Sequence, residues 1–148
     1  MDPVVDLAPG TERSALARRL ADVVRTNLGR DWQRREFQRL RGSVVILADD
    51  AVSALTLRFD FGRLTIHEGL IGVPDITISG SSADIEALTR MRFDGPLRLP
   101  LPGFRDAEGR AALGSVLRAL RRRDLKIYGL MLNGRFIVRL LRVLSSSG

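Results

Sequence analysis

The sequence contains no cysteine, which excludes disulfides, thiol chemistry and Cys-ligated metals. It holds a single histidine, His67, so a His-rich metal centre or a multi-histidine catalytic site is excluded as well. Lysine is nearly absent: of the 24 basic residues only Lys126 is not arginine, a bias that fits GC-rich bacterial coding. Aromatic residues make up 5% of the chain, too few for the base-stacking platforms of most single-strand binders. No apolar run approaches the ~18 residues that a membrane span needs. The opening Met1-Asp2-Pro3-Val4-Val5-Asp6 lacks the basic-then-apolar pattern of a signal peptide. The closing Ser145-Ser146-Ser147-Gly148 carries no lipidation or peroxisomal address. These absences predict a cytoplasmic protein.

What is present is ordinary globular composition, with 45% apolar and 28% charged residues in 148. A domain of this size buries roughly 68–70% of its unfolded surface, so a real core needs no staples. The net charge of +7 is unevenly spread. Residues 42–93 carry 4 arginines against 7 acids, whereas residues 94–148 carry 11 basic against 4 acidic residues. A positive surface of that kind faces nucleic acid or anionic lipid, or simply solvent on helix flanks.

Periodicity supplies the elements. Residues 1–10 read as a loose lead-in. Leu16, Leu20, Val23, Val24 and Leu28 repeat at helical spacing behind Thr11 as N-cap, and a second helix is expected over Trp32 to Leu40. From Gly42 the texture changes to period 2: Val44–Ala48, then Leu55/Leu57/Phe59, Leu64/Ile66 and Ile76/Ile78, with turns between them. Ser81 or Ser82 caps a helix from Ala83 to Arg92, with acidic Asp84 and Glu86 in its first turn. Residues 94–106 form a long loop with three prolines, unusually apolar for a loop. A helix over Ala107–Arg123, a fifth strand at Leu125–Gly129 and an amphipathic helix over Leu132–Leu144 complete the chain. The reading is α+β, with a five-stranded, mostly antiparallel sheet and helices on one face. Residues 1–41 form a helical extension and residues 42–148 the main domain.

Catalytic signals are weak. His67-Glu68 at a strand end reads better as solvent-facing strand residues than as a general base or metal fragment, and Asp49-Asp50 is explained by a turn. Gly129-Leu-Met-Leu-Asn-Gly134 has phosphate-loop glycine spacing, but Arg135-Phe136 stands where Lys-Ser/Thr is required. No G-x-S-x-G elbow occurs. Arg121-Arg122-Arg123 suits a solvated helix C-terminus better than a phosphate contact, so nucleic acid is not the expected partner. What stands out is apolar material in odd places: Leu97, Leu99, Leu101 and Phe104 in the loop, Leu130–Leu132 before the closing helix, and that helix's continuous stripe. A well-filled core explains these, and so does an apolar cavity between sheet and helices.

Three ordered stretches carry a family resemblance. They are the hairpin Leu55-Thr-Leu-Arg-Phe-Asp-Phe-Gly-Arg-Leu-Thr-Ile-His-Glu-Gly69, the strand-turn-helix Pro74-Asp-Ile-Thr-Ile-Ser-Gly-Ser-Ser-Ala-Asp-Ile-Glu-Ala-Leu88, and Leu125-Lys-Ile-Tyr-Gly-Leu130 with its apolar helix. From about Leu47 to Leu144 the chain resembles the SCP2-like (sterol carrier protein 2) lipid-transfer family. The helical extension and the Pro-rich loop exceed a minimal domain of that family. The resemblance implies helices over one face of a five-stranded sheet, an enclosed apolar cavity, and non-catalytic binding of a fatty acyl, sterol-like or isoprenoid lipid without cofactor or metal. Some bacterial relatives are accessory factors in isoprenoid-quinone synthesis. The expected lining, taken from the inward phase of each element, is Leu57, Phe59, Ile66, Ile78, Leu88, Met91, Phe104, Ile127, Met131, Phe136 and Leu140. Arg135, Arg139 and Arg142 are the expected contacts to an anionic membrane, and a protein partner stays open. The alternative is a structural or partner-binding domain with a filled core.

Overall fold

The computed structural model of the protein describes residues 2–50, 53–89, 125–129 and 132–144. In chain order these form β1 (Val4–Leu7), a 3-10 turn (Thr11–Arg13), α1 (Ala15–Asn27), α2 (Asp31–Gln38), β2 (Arg41–Ala48), β3 (Ser53–Asp60), β4 (Arg63–Glu68), β5 (Ile76–Gly80), α3 (Ser82–Thr89), β6 (Lys126–Tyr128) and α4 (Gly134–Leu144). The Pro-rich loop 94–106 and the expected helix 107–123 lie outside the described residues.

The sheet has six strands in the order β1-β4-β3-β2-β5-β6. This corrects the expectation of five mostly antiparallel strands, because β1 pairs with β4 and β5 pairs with β2 in parallel. The remaining ladders are antiparallel. The extra strand comes from the expected lead-in. Val4-Val5-Asp6-Leu7 is too short for a clear alternation, but the free edge of β4 recruits it, with Val5 and Leu7 turned to the core.

The parallel β5 has a separate cause. The connection 69–75 does not turn back beside β4 but crosses the polar face of β3 and β2. It is pinned on the way by Thr56, whose hydroxyl donates to the Gly69 carbonyl (2.7 Å) and accepts from the Ile71 amide (3.1 Å). Ser43 holds its far end: the Ser43 amide donates to Asp75 Oδ2 (2.8 Å) and the Asp75 amide to the Ser43 carbonyl (3.0 Å).

The alternation read from the sequence sets which face is buried. Val44, Ile46, Leu55, Leu57, Leu64, Ile66, Ile76 and Ile78 point to one side and are covered by α1, α3 and α4. Each such side chain contributes roughly 1.5–3 kcal/mol when removed from water. Their strand neighbours Ser43, Arg58, Thr65, His67 and Thr77 face the other way.

α1 starts one turn later than Thr11. Ser14 is the N-cap, accepting from the Ala17 amide at 3.2 Å. Thr11 is buried, and its hydroxyl instead accepts from the Glu68 amide at 3.1 Å, tying the 3-10 turn to β4. Ser81 is the cap of α3, accepting from the Asp84 amide. The first 41 residues thus supply an edge strand and two helices to the same sheet and core.

Candidate functional site

Eight of the eleven expected lining residues fall among the described residues; Met91, Phe104 and Met131 lie outside them. The structure brings the eight together. Leu57, Phe59, Ile66, Ile78, Leu88 and Leu140 are buried in one apolar cluster, and Ile127 and Phe136 pack against it half-buried. Phe59 stands edge-on between Phe37 of α2 (6.1 Å) and Phe136 of α4 (6.2 Å). These side chains form the packed layer between the sheet and the helices.

A concavity of about 1210 Å³ lies beside that layer. Its walls are the outer flank of α1, the start of α3, and the end of the hairpin where β3 begins and β4 ends. Leu16, Val23 and Ala54 give it apolar surface, Arg13, Arg18 and Arg19 line it from the basic side, and the Arg19–Glu86 ion pair (3.4 Å) joins α1 to α3. The concavity is open to solvent, and its volume lies above the roughly 300–1,000 Å³ of ordinary ligand pockets. In the sequence this wall is not separated from the core. Leu16 and Val23 belong to the same helical stripe as Leu20 and Val24, but only the latter pair is fully buried. A stripe wider than the buried face needs was the signal.

A second concavity of about 660 Å³ lies on the polar sheet face, lined by Arg58, Arg63, Thr65 and His67 beneath the 69–75 connection. His67 sits opposite Thr56 in the ladder. Among the described residues no group of three or more His, Asp or Glu is placed to hold a metal. Asp49 and Asp50 do structural work: Asp49 accepts from the Ser79 hydroxyl, and Asp50 accepts from the amide and hydroxyl of Ser82 at the start of α3. A third concavity, about 440 Å³, opens at the start of α4 between Arg39, Arg41, Arg135 and Arg139.

The three arginines expected at a membrane divide. Arg139 and Arg142 both reach Glu36 of α2, at 3.7 and 3.5 Å, while Arg135 is exposed. α2 therefore docks on α4 through one carboxylate shared by two guanidinium groups. Two side-chain amides reinforce it: Asn27 Nδ2 donates to the Val143 carbonyl (2.7 Å) and Gln33 Nε2 to the Arg142 carbonyl (2.9 Å). Those carbonyls belong to the last turn of α4, where a helix leaves its acceptors without intrahelical partners. No helix among the described residues is long and apolar enough to cross a membrane.

No family model matches the chain, and no curated protein does either. Solved structures do match. One described as "UbiJ-SCP2 Ubiquinone synthesis protein" superposes with a TM-score of 0.60 over 90% of this chain and 95% of its own, at 11% identity. A conserved hypothetical protein of Thermus thermophilus, whose description offers sterol carrier protein, gives a TM-score of 0.39 at 17% identity, over 84% of this chain and 85% of its own. At 11% identity the first match speaks to architecture alone, and it spans nearly the whole of both chains. The chain has the SCP2-like fold.

Proposed function

We propose that the protein is a non-catalytic carrier of a hydrophobic ligand, a fatty acyl, sterol-like or isoprenoid lipid, working in the cytoplasm. The observation that carries this reading is the 1210 Å³ concavity with partly apolar walls, set against the apolar layer of an SCP2-like fold. Removing an acyl or prenyl chain from water there is worth roughly 0.8 kcal/mol per buried CH₂, so affinity needs no covalent step. Within residues 42–148, the lining we propose is the apolar layer itself, Leu57, Phe59, Ile66, Ile78, Leu88, Ile127, Phe136 and Leu140, and we keep Met91, Phe104 and Met131 in the proposal. The concavity is the entrance, and Arg13, Arg18 and Arg19 meet an anionic head. An accessory role in isoprenoid-quinone metabolism is supported by the description of the structural neighbour as a ubiquinone synthesis protein.

The test is native mass spectrometry of freshly purified protein, with organic extraction of the same sample. The reading expects a discrete added mass that extracts as lipid, reduced by Val23→Asp at the entrance and by Phe136→Asp in the layer. A clean apo mass after incubation with fatty acids, isoprenoid quinones and phospholipids would overturn it. The full burial of Leu57, Ile66, Ile78 and Leu140 favours the second reading in that case, a filled core serving a protein partner.

A further inference from the structure

Four of the six exposed large apolar side chains among the described residues gather at one end of the sheet, while Leu70 and Ile71 begin the crossing connection nearer the opposite end. Phe61, Val73, Tyr128 and Leu132 are all exposed, Val73 and Leu132 by 93% and 91%. The ladder register and hydrogen bonds place them at one end of the sheet. β2 begins there at Arg41, opposite Asp60 at the end of β3. Phe61 follows, its amide donating to the Leu40 carbonyl (2.9 Å) and its ring lying 5.7 Å from the Arg41 guanidinium. Val73 arrives on the crossing connection, its carbonyl held by Ser43. Asn133, next to Leu132, donates to the carbonyls of Asp75 (3.0 Å) and Gly129 (3.3 Å). Loops that bring exposed aliphatic groups to one pole leave a surface that monomeric soluble proteins usually avoid.

The charge of this pole is basic. Arg39, Arg41, Arg63 and Arg135 are exposed there, and none of them makes an ion pair with another described residue. The acids at the same end are Asp60, Asp75 and Asp2, which precedes the Val4 amide bonded to the Gly62 carbonyl, and Asp75 already accepts the Ser43 amide. Arg39, Arg41 and Arg135 ring the concavity in which Leu132 also stands. The first amides of α4 open toward it, ahead of the bond from the Ile137 amide to the Asn133 carbonyl, and add positive potential.

We infer that this pole is a docking surface for an anionic lipid bilayer, with Leu132, Val73 and Phe61 entering the interface and Arg39, Arg41 and Arg135 meeting lipid phosphates. Aliphatic tips flanked by guanidinium groups match a headgroup layer above an acyl boundary. A second copy of the chain fits poorly, because a two-fold contact sets this basic patch against itself. Nucleic acid fits less well, because the two most exposed members, Val73 and Leu132, are aliphatic, and of the four only Phe61 and Tyr128 offer a ring on which a base could stack. The surface differs from the expected Arg135/Arg139/Arg142 face, since Arg139 and Arg142 are turned to Glu36. As the membrane where a lipid is collected or delivered, it builds on the carrier reading, but its own evidence is independent of the ligand.

The experiment is flotation of the full chain with vesicles of phosphatidylcholine, and of phosphatidylcholine with phosphatidylglycerol, at low and high salt. Binding is expected only with phosphatidylglycerol and is weakened by salt. Arg39→Gln and Arg135→Gln should each lower partitioning about fivefold. Leu132→Asp should abolish it. All three sites are exposed, so unchanged thermal unfolding of the variants is the control for folding. No flotation of the wild-type protein, or variants that float as well as it does, would overturn the proposal. So would a concentration-dependent dimer, or RNA binding, lost in Leu132→Asp while vesicles are ignored. Native mass spectrometry separates the two ideas: flotation with a clean apo mass removes the carrier and leaves the docking surface, and bound lipid without flotation does the reverse.

Discussion

Single residues at two seams decide how the layers meet. Asn27 and Gln33 are buried amides whose partners are the terminal carbonyls of α4. Asn27→Leu keeps the size but leaves the Val143 carbonyl buried and unpaired, which costs about 1–3 kcal/mol. Chemical denaturation should show the midpoint falling at constant slope. The other seam is Asp75. A side chain on Gly42, at φ +143°, would meet Asp75 Oδ2 at 2.8 Å and the Phe136 ring at 3.0 Å. On Gly129, at φ +87°, it would run into the Asp75 carbonyl oxygen. Gly129→Ala is expected to cost about 2–3 kcal/mol, combining backbone strain with the collision. Gly134→Ala, which meets nothing within 4 Å at the start of α4, should be neutral or gain a few tenths of a kcal/mol. A thermal-melt comparison of these two alanine variants separates backbone fit from loss of glycine as such. Neither seam was legible beforehand. The partner of Asn27 stands 116 residues away, where no local pattern announces it.

At the level of elements, what could be read was what repeats locally. The β2–β5 strands announce themselves through Val44/Ile46, Leu55/Leu57/Phe59, Leu64/Ile66 and Ile76/Ile78, because one buried face imposes period 2. α4 announces itself through a stripe with arginines opposite. β1 did not, since four residues after a proline hold too few alternations and are stabilised by the edge they join. Val5 tests this. Its side chain packs on the core from β1, so Val5→Asp should release the strand at about 2 kcal/mol. Hydrogen exchange should then quicken in β4, its neighbour in the sheet, while β2 and β3 stay protected. Pairing direction was illegible for another reason. Nothing in Gly69–Asp75 announces a crossing, because what holds it is Thr56 and Ser43 on other strands.

For the whole molecule, the fold class and the apolar layer were readable, whereas the concavity was not. Alternation says which side chains turn inward, and eight of the chosen residues did so. It says nothing of how closely two layers approach, and only that distance creates space. The void lies at the flank of α1, where Leu16 and Val23 exceed what the core takes in. If a lipid occupies it, binding couples to folding. A hydrophobic ligand at a hundred times its Kd should stabilise the protein by ~2.7 kcal/mol, raising Tm by roughly 5–10 °C for a chain of this length. Differential scanning calorimetry with fatty acid, and with a head-group-matched short-chain control, is the check. The short chain should leave Tm unchanged.

The seam between α2 and α4 also has a consequence in time. α1 and α2 emerge early in synthesis, yet the carbonyls that satisfy Asn27 and Gln33 come 116 and 109 residues later. The carboxylate of Glu36 likewise waits for Arg139 and Arg142. Domains whose contacts are this distant in sequence close slowly. A nascent chain halted before residue 134 can still form the β2–β3–β4 meander from neighbouring strands. Its N-terminal helices would meanwhile lack their lid, with Phe37 and Val24 open to water or to a chaperone. The vulnerable period of the N-terminal helices thus lasts until α4 arrives.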